Sequence, residues 1–261
     1  RGGDNAAVSN AAGGLIESLD ERGVRADEGL FVENFGIIDA SDDAIQGGDG
    51  LTVFNGVDGE IFSFEQEGID AGDSADLEVT NLGLIDAGDE GIQAGLGASV
   101  FNGLTGVIVA FDDAIQVEGD SVVSNDGIIT SFEEDGIDID SGAVINNTSG
   151  VIGSFGAAGI DVDDIEVVNG VSPAERGLEI VNAGLIGGVT ATLVHPDNME
   201  SQSVENSGLI GGLLGVAADL GAADDRVTVV DDGTFIGDVL FGTGDDILDV
   251  SQAGPGDRKS T

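Results

Sequence analysis

One phrase recurs about every 22 residues along the chain, and it limits the fold more than any other feature. Each copy contains an aliphatic residue, an Asn, a Gly and an Ile in that order, separated by short spacers. The clear copies are Val32, Asn34, Gly36 and Ile38; Val79, Asn81, Gly83 and Ile85; Val123, Asn125, Gly127 and Ile129; Val181, Asn182, Gly184 and Ile186; and Val204, Asn206, Gly208 and Ile210. Looser copies end at Ile16, Ile61, Ile108 and Ile152, and a degenerate copy contains Val229, Asp231, Gly233 and Phe235. Self-similarity at one period is typical of a repeat architecture.

A second phrase follows each of these Ile residues after seven or eight positions, and it joins Gly or Ala to Ile and then to Gln or Asp. Its central residues are Ile45, Ile69, Ile92, Ile115, Ile137 and Ile160, and Val24 takes the same place in the first repeat. Each repeat therefore carries three short apolar stretches between corners that are rich in Gly, Asp and Asn.

The short period and the composition together favour a β-solenoid over a helical one. Helical repeats need roughly 30 residues or more and good helix formers, whereas 45 of the 261 residues here are Gly. Three short strands and three turns fit the observed period. We therefore predict an all-β fold, a parallel β-helix of about 9–10 coils that lie about 4.8 Å apart. Equivalent Ile and Val side chains would stack through the interior, and the Asn amides would bond to one another along the axis.

The Asn-x-Gly-x-Ile phrase, followed by Gly-Ile-Asp or Ala-Ile-Gln, resembles the repeats of bacterial autotransporter passenger domains and related haemagglutinin-like β-helices. The resemblance covers the chain from about Val8 to Val239. It implies that the β-helix is right-handed and that it is exposed outside the cell.

The segment from Gly242 to Asp249 resembles one nonapeptide of the calcium-binding repeats-in-toxin family. In that family, Gly and Asp residues of successive turns hold Ca²⁺ between them. The resemblance implies that Asp245 and Asp246 are calcium ligands, and the sequence contains one clear copy of the motif.

The charge of the chain excludes several classes of partner. There are 51 Asp and Glu residues against 7 Lys and Arg residues, which gives a formal net charge of −44. Nucleic-acid binding needs clustered Lys and Arg side chains, so we exclude it. We also expect no membrane insertion, because no run approaches about 18 apolar residues. With no Cys and the family resemblance, the sequence predicts an extracellular protein of the bacterial cell surface.

Acidic residues cluster just before the Ile of the second phrase in five successive repeats, and the series ends at Gly156, Ala157 and Ala158. The predicted cation ligands in this series are Asp42, Asp43, Glu65, Glu67, Asp89, Glu90, Asp112, Asp113, Glu133 and Asp135. In a β-helix they would form a column on one edge, where neighbouring charges repel by about 1 kcal/mol or more. Three interpretations stay open: a solvated edge that prevents aggregation, Ca²⁺ sites made of hard oxygen ligands, and a catalytic carboxylate pair.

Other features favour a non-catalytic protein. Sugar-binding clefts usually present Trp or Tyr rings, and this chain has neither. The one His, His195, lies in a polar stretch that ends at Met199, and Arg176 ends a second stretch that begins at Ser172. We predict that both stretches are surface loops, where solenoids often carry binding residues.

We expect a flexible N-terminal edge at 1–7, a β-helix at 8–250 and a polar tail at 251–261. The predicted function is that of a secreted or cell-surface structural or adhesive segment, stabilised by cations; the alternative is a β-helical polysaccharide lyase or glycosidase. Open β-helix ends expose unpaired strands, so either further sequence caps them or copies stack end to end. The expected partners are other copies, in stacks or surface assemblies, and a host or matrix surface.

Overall fold

Three short strands form each coil of the chain, and each strand pairs in parallel with the equivalent strands of neighbouring coils. The computed structural model describes residues 2–73, 76–162, 177–194 and 200–254. These residues contain no helix, and about ten coils follow one another at intervals of about 23 residues. The predicted parallel β-helix is confirmed, while its right-handed winding stays a prediction from the family resemblance. Accordingly, no helix in the described ranges is suited to crossing a membrane.

In the part of the chain that the structure describes, sheet 1 is formed by nine strands that end at the repeated Asn and by two further strands that lack it. The nine strands are β1 (Ala7–Asn10), β4 (Phe31–Asn34), β7 (Thr52–Asn55), β10 (Glu78–Asn81), β13 (Ser99–Asn102), β16 (Ser121–Asn125), β19 (Gly142–Asn146), β22 (Leu178–Asn182) and β25 (Ser203–Asn206), and the two further strands are β27 (Arg226–Asp231) and β29 (Ile247–Ala253).

Sheet 2 is formed by the strands that carry the first repeated Ile. Its strands are β2 (Leu15–Ser18), β5 (Ile37–Ala40), β8 (Glu60–Ser63), β11 (Leu84–Ala87), β14 (Val107–Ala110), β17 (Ile128–Ser131), β20 (Val151–Ser154), β23 (Leu185–Gly188), β26 (Leu209–Asp219) and β28 (Thr234–Leu240).

Sheet 3 is formed by the strands that carry the second repeated Ile. Its strands are β3 (Val24–Arg25), β6 (Ile45–Gln46), β9 (Ile69–Asp70), β12 (Ile92–Ala94), β15 (Ile115–Val117), β18 (Ile137–Ile139), β21 (Ala158–Val162) and β24 (Thr190–Val194). The long strand β26 also pairs with β24, so it joins sheets 2 and 3.

The interior is a continuous stack of aliphatic side chains, as the repeated Ile predicts. In sheet 2, Ile38 pairs with Ile61, Ile61 with Ile85, and Ile85 with Ile108, and all four are fully buried. The stack continues through Ile129, Ile152, Ile186 and Ile210. Burial of each such side chain contributes roughly 1.5–3 kcal/mol, so the solenoid is stabilised by many equal layers.

A ladder of buried Asn side chains runs along the end of sheet 1. Each Nδ2 donates to the Oδ1 of the Asn one coil further on, at 2.8–3.0 Å, from Asn10 through to Asn206. The amides also bond to the turn, because Asn34 Nδ2 donates to the carbonyl of Glu60 and Asn34 Oδ1 accepts from the N–H of Gly36. The predicted Asn stack is therefore confirmed, and it fixes the register of the coils.

The regular pattern ends after Asn206. The degenerate copy predicts Asp231 at the Asn position, and this is wrong, because Val229 pairs with Asn206. The turn to sheet 2 holds four residues after Val229 but two after Asn206, since Leu209 pairs with Thr234. Asp231 instead ends β27 with a φ of 51°. The last coils thus keep the aliphatic interior without the Asn ladder.

Candidate metal centre

A column of carboxylates follows the corner between sheets 2 and 3. Asp43, Glu67, Glu90, Asp113 and Asp135 each stand two positions before the buried Ile of sheet 3 in five successive coils. Their backbones stack in register, because the carbonyl of each later member accepts an N–H from the residue that follows the member one coil earlier. Asp43, Asp113 and Asp135 are buried at this corner, and Glu67 and Glu90 are half-buried.

Among the described residues, three groups bring carboxylate oxygens within 4.8 Å of one another. These groups are Asp43, Glu67 and Asp70; Glu67, Asp89 and Glu90; and Asp113, Glu134 and Asp135. Oxygen ligands of Ca²⁺ lie about 2.4 Å from the ion, so two ligands of one ion are at most about 4.8 Å apart. The donor sets contain only hard oxygen atoms, and each group therefore fits a hard divalent cation.

The first group is partly compensated by protein side chains. Arg22 Nε lies 2.6 Å from Asp43 Oδ2, and Gln46 Nε2 donates to Asp43 Oδ2 at 2.8 Å and to Asp70 Oδ2 at 2.6 Å. Asp43 is 2% exposed, whereas the Arg22 side chain is 33% exposed, so the pair is shielded from solvent on the side of the carboxylate. Glu67 is the third member of the group. In the part of the chain that the structure describes, Arg22 pairs with Asp42 and Asp43 but not with Glu67.

The middle group carries the strongest electrostatic strain. Burial, followed by its hydrogen bond with Asp43, raises the pKa of Glu67 to about 8. Burial, followed by the charge of Asp89, raises the pKa of Glu90 to about 7. Burial also raises the pKa of Asp89, and its contacts with Asp112 raise it further. Oε2 of Glu90 is buried without a hydrogen-bond partner, so this group either holds protons or takes a cation.

The third group is tied to the backbone of the next coil. Asp113 Oδ1 accepts from the N–H of Asp135 at 2.7 Å, and Asp135 Oδ1 accepts from the N–H of Ala158 at 2.5 Å. Burial raises the pKa of Asp113 to about 6 despite that N–H donor. Burial, followed by the charge of Asp161, raises the pKa of Asp135 to about 7. These carboxylates have a structural function at the corner besides any cation they hold.

The other predicted ligands of the series lie beside these groups. Asp42 lies 3.5 Å from Arg22 Nη1, and Asp112 contacts Asp89. Glu65 and Glu133 are exposed. The structure therefore brings six of the ten predicted ligands of the column together at close range, leaves Asp42 and Asp112 half-buried beside them, and leaves Glu65 and Glu133 facing solvent.

Two members of the groups were outside the predicted ligand set. Asp70 follows the buried Ile69, and the alternation of a strand would have turned it outward next to Glu67. Glu134 lies in the acidic run between Glu133 and Asp135. The sequence predicted this run, but it gave Glu133 and Asp135 as ligands and left out Glu134. Arg22 gave no sequence signal, since its pairing with Asp43 depends on the stacking of two coils.

The C-terminal Asp245 and Asp246 lie over an equivalent Asp pair in the preceding coil. Asp245 N–H donates to Asp224 Oδ1 at 2.8 Å, and Asp225 N–H donates to Asp246 Oδ1 at 3.0 Å. Asp225 is 1% exposed, its Oδ2 has no hydrogen-bond partner, and burial raises its pKa to about 6.

The sequence showed one copy of the C-terminal motif, whereas the structure supplies a second turn beneath it. That turn was missed because Ala223 stands where the later turn has Gly244. Both residues have a positive φ, of 117° and 158° respectively. The two predicted loops, Ser172 to Arg176 and His195 to Met199, lie outside the described residues.

Comparisons with protein-family models, with curated proteins and with solved structures find no match for this chain.

Proposed function

We propose that the chain is a structural or adhesive rod of the bacterial cell surface, that Ca²⁺ neutralises its acidic edge, and that it has no catalytic activity. The solenoid fold, the extreme negative charge and the resemblance of the repeats to autotransporter passenger and haemagglutinin-like β-helices support this proposal. Extracellular fluids supply Ca²⁺ at concentrations that weak oxygen sites can use.

The observation that carries the proposal is the middle carboxylate group. Glu67, Asp89 and Glu90 hold oxygens within 4.8 Å of one another, and one of these oxygens is buried without a partner. With all three of these carboxylates ionised, repulsion across such distances costs on the order of several kcal/mol near a protein surface. A divalent cation converts this repulsion into attraction and links two coils at the same time.

The contacts of three carboxylates support the non-catalytic part of the proposal. Asp113 and Asp135 each accept a backbone N–H of the next coil, and Asp43 pairs with Arg22. General acid–base chemistry needs a carboxyl group that is free to exchange its proton with a substrate. A glycosidase or lyase remains the alternative, and the same carboxylates would be its candidates.

A second calcium position in the proposal is the C-terminal Asp pair of two adjacent turns. Asp225 and Asp246 stand at matching places, and the resemblance to the repeats-in-toxin nonapeptide identifies this kind of turn with calcium. The unpartnered Oδ2 of Asp225 supports the assignment.

We also propose that copies associate end to end. In the described residues, β1 pairs only with β4 and β29 pairs only with β27, so one edge of each strand is open. Leu15 in the first coil is 59% exposed, and Leu248 in the last is 57% exposed. Sedimentation should show association that Leu248→Asp weakens; a monomer at every concentration would contradict this part.

Thermal unfolding with matched salts tests the calcium proposal. We expect Ca²⁺ to raise the thermal midpoint by on the order of 5 °C or more relative to NaCl at equal ionic strength. The double variant Glu67→Gln/Glu90→Gln should lose this response, while Glu65→Gln, which changes an exposed neighbour, should keep it. An equal midpoint in both salts would contradict the proposal.

A screen of acidic and neutral polysaccharides tests the non-catalytic part. We expect no cleavage by the wild-type protein. Cleavage that disappears in Glu67→Gln and persists in Glu65→Gln would overturn the structural role in favour of the enzyme.

A further inference from the structure

The outer face of sheet 2 changes character along the rod. In the first four coils, its middle outward position holds Glu17, Asp39, Phe62 and Asp86. In the next coil the same position holds Val109, and after it Thr130. In β14, β17, β20 and β23, and in the first five residues of β26, no outward side chain is charged. An uncharged strip of this length is exceptional in a chain with a net charge of −44.

Three glycines form the floor of this strip. Gly153, Gly187 and Gly211 continue the middle position in register. None has a positive φ, and a Cβ at Gly187 would lie 3.6 Å from its nearest atom, an ordinary contact. In contrast, a Cβ at Gly156 would lie 1.9 Å from a backbone carbonyl. The fold therefore requires Gly156 but leaves Gly187 free to carry a side chain, and glycine inside a strand often marks a close approach by another molecule.

Apolar side chains rise on both sides of the floor. On one side, Ile128 is 43% and Leu185 is 39% exposed. On the other, Phe132 and Phe155 are 53% and 70% exposed, and Leu213 is 80% exposed. The two Phe rings stack with centroids 5.9 Å apart. We call this feature the apolar groove: its floor is Val109 and Thr130 followed by the three glycines, and its sides are the two apolar ridges of β14 to β26.

The aromatic ridge of the apolar groove borders the acidic column. Phe132 is followed directly by the exposed Glu133 and Glu134, and Phe111 is followed by Asp112. In the next coil, Phe155 is followed by Gly156 and Ala157. A molecule in the groove therefore meets hydrophobic surface along its length and carboxylates on one side at the coils of β14 and β17. Aromatic faces and carboxylates both attract Lys and Arg side chains, so the groove is complementary to a segment that is apolar and cationic.

We propose that the apolar groove binds a cationic amphipathic α-helix of a partner protein. The two ridges are four residues apart along each strand, or about 13 Å, which admits a helix about 10–12 Å wide. The strip spans four coil spacings, about 19 Å, which matches roughly 13 helical residues. Successive helical turns are about 5.4 Å apart, close to the coil spacing of about 4.8 Å, so the two turns over β14 and β17 can each offer one basic residue to the carboxylates of one coil.

A second copy of the chain suits the apolar groove less well. The flat area of the strip is on the order of 300 Å², whereas a stable interface buries about 800 Å² on each partner. Face-to-face packing would also bring together two chains that each carry a net charge of −44.

Peptide binding to the intact chain tests this proposal. The probe is a fluorescent helical peptide of about 16 residues with Leu on one face and Arg on its flank, and its binding is followed by anisotropy at low salt. A peptide of the same composition without helical periodicity is the matched ligand control. We expect Phe132→Ser/Phe155→Ser and Gly187→Val each to weaken binding by about tenfold or more. Phe101→Ser, which changes an exposed ring on sheet 1, should change it less than about twofold.

Three results would overturn the proposal. Equal binding of both peptides, or equal loss in all variants, would show that charge alone attracts the peptide. Self-association that is lost in Phe132→Ser/Phe155→Ser would assign the groove to a second copy. Binding of phosphatidylcholine vesicles that the same variant abolishes would assign it to a lipid surface.

Discussion

The coils from β4 to β25 and the last coils from β26 to β29 build the same solenoid in different ways. The earlier coils repeat short strands in unbroken register, and each of their strands in sheet 1 ends at an Asn whose amide belongs to the ladder. The last coils have strands of six to eleven residues and register shifts between β26 and β28 and between β27 and β29. Their Asn ladder is gone, and Ile236 and Leu240 are exposed.

This difference separates what the solenoid needs from what makes it regular. Aliphatic stacking continues into the last coils through Ile210 and Phe235, so parallel winding needs only apolar side chains at the right period. The Asn ladder adds a polar bond per coil, both where the turn between sheets 1 and 2 has two residues, as after Asn81, and where it has four, as after Asn102. Where the ladder stops, at Val229, the turn keeps the four-residue form, but the strands beyond it slip.

The largest contrast between the regions should appear on truncating the interior. Ile85→Ala in a regular coil should lower the free energy of unfolding by about 3 kcal/mol, because it leaves a cavity in a fully packed layer. Ile236→Ala in the last coils should change it by less than about 0.5 kcal/mol, because that side chain is 57% exposed. Urea unfolding measures both, and equal losses would show that the layers are not packed as described.

Removal of one amide from the ladder should have the next largest effect. Asn102→Ala takes away the donor to Asn125 Oδ1 and to the carbonyls of Gly106 and Ile128, and leaves these groups buried. We expect a loss of about 2–3 kcal/mol in urea unfolding. The control is Asn147→Ala, at a residue that follows the ladder residue Asn146 but lies outside the ladder. Its loss of unfolding free energy should be well under half as large.

The converse change sharpens the same contrast. Val229→Asn places an amide where the ladder ends, next to Asn206, whose Nδ2 now donates to the carbonyl of Thr234. We expect a gain of about 1 kcal/mol, because the turn after Val229 has four residues and ends at Gly233, like the turn after Asn55, whose Nδ2 donates to the carbonyl of Gly59. A loss would mean that the backbone of the last coils, and not the residue type, ends the ladder.

The acidic edge of the regular coils should make stability depend on pH. The pKa values of Glu67 and Glu90 are raised to about 8 and about 7 in the folded chain. A carboxyl group whose pKa is higher in the folded than in the unfolded chain stabilises the fold while it is protonated. The contribution of these two groups to stability is therefore greatest below about pH 4.5 and falls as the pH rises toward 8. Without divalent cations, we expect the thermal midpoint to fall by on the order of 5 °C over this range. Glu67→Gln/Glu90→Gln should flatten the profile, and an unchanged slope would contradict the assignment.

The smallest predicted effect lies in the last coils. Ala223 has a φ of 117°, a conformation that strains a side chain, and Gly244 takes the matching place one coil later. Ala223→Gly should raise the free energy of unfolding by about 1 kcal/mol. Ala222→Gly, next to it, should not, and a loss in Ala223→Gly would show that its backbone is not strained.

The repeated residues made the fold predictable from sequence. Ile38 and Ile61 recur at a period that only short strands satisfy, and Asn34 and Asn55 predicted the ladder. The prediction was wrong where one coil departs from the consensus, since Asp231 resembles Asn but lies two positions beyond Val229, which holds the place of the Asn. It was imprecise at Val181, because the buried residue of that coil is Ile180.

The candidate site was predictable only in outline. The acidic run before each Ile predicted a column, but sequence spacing could not reveal which oxygens meet across coils. Asp70 joins Glu67 because the outward face of sheet 3 meets the corner there. Desolvation at Glu90 depends on packing from neighbouring coils, which no single repeat contains. The apolar groove was missed because its parts, such as Phe132 and Gly187, lie on different repeats.

A carboxyl NMR titration of Glu67 and Glu90, with and without Ca²⁺, tests whether the acidic edge is desolvated and binds a cation. Without the ion, we predict that their carboxyl resonances titrate near pH 8 and pH 7. With saturating Ca²⁺, both should stay ionised through neutral pH and titrate at lower pH, because the cation favours the carboxylate form. Titration of both residues near pH 4.5, unchanged by Ca²⁺, would contradict a buried, cation-binding edge.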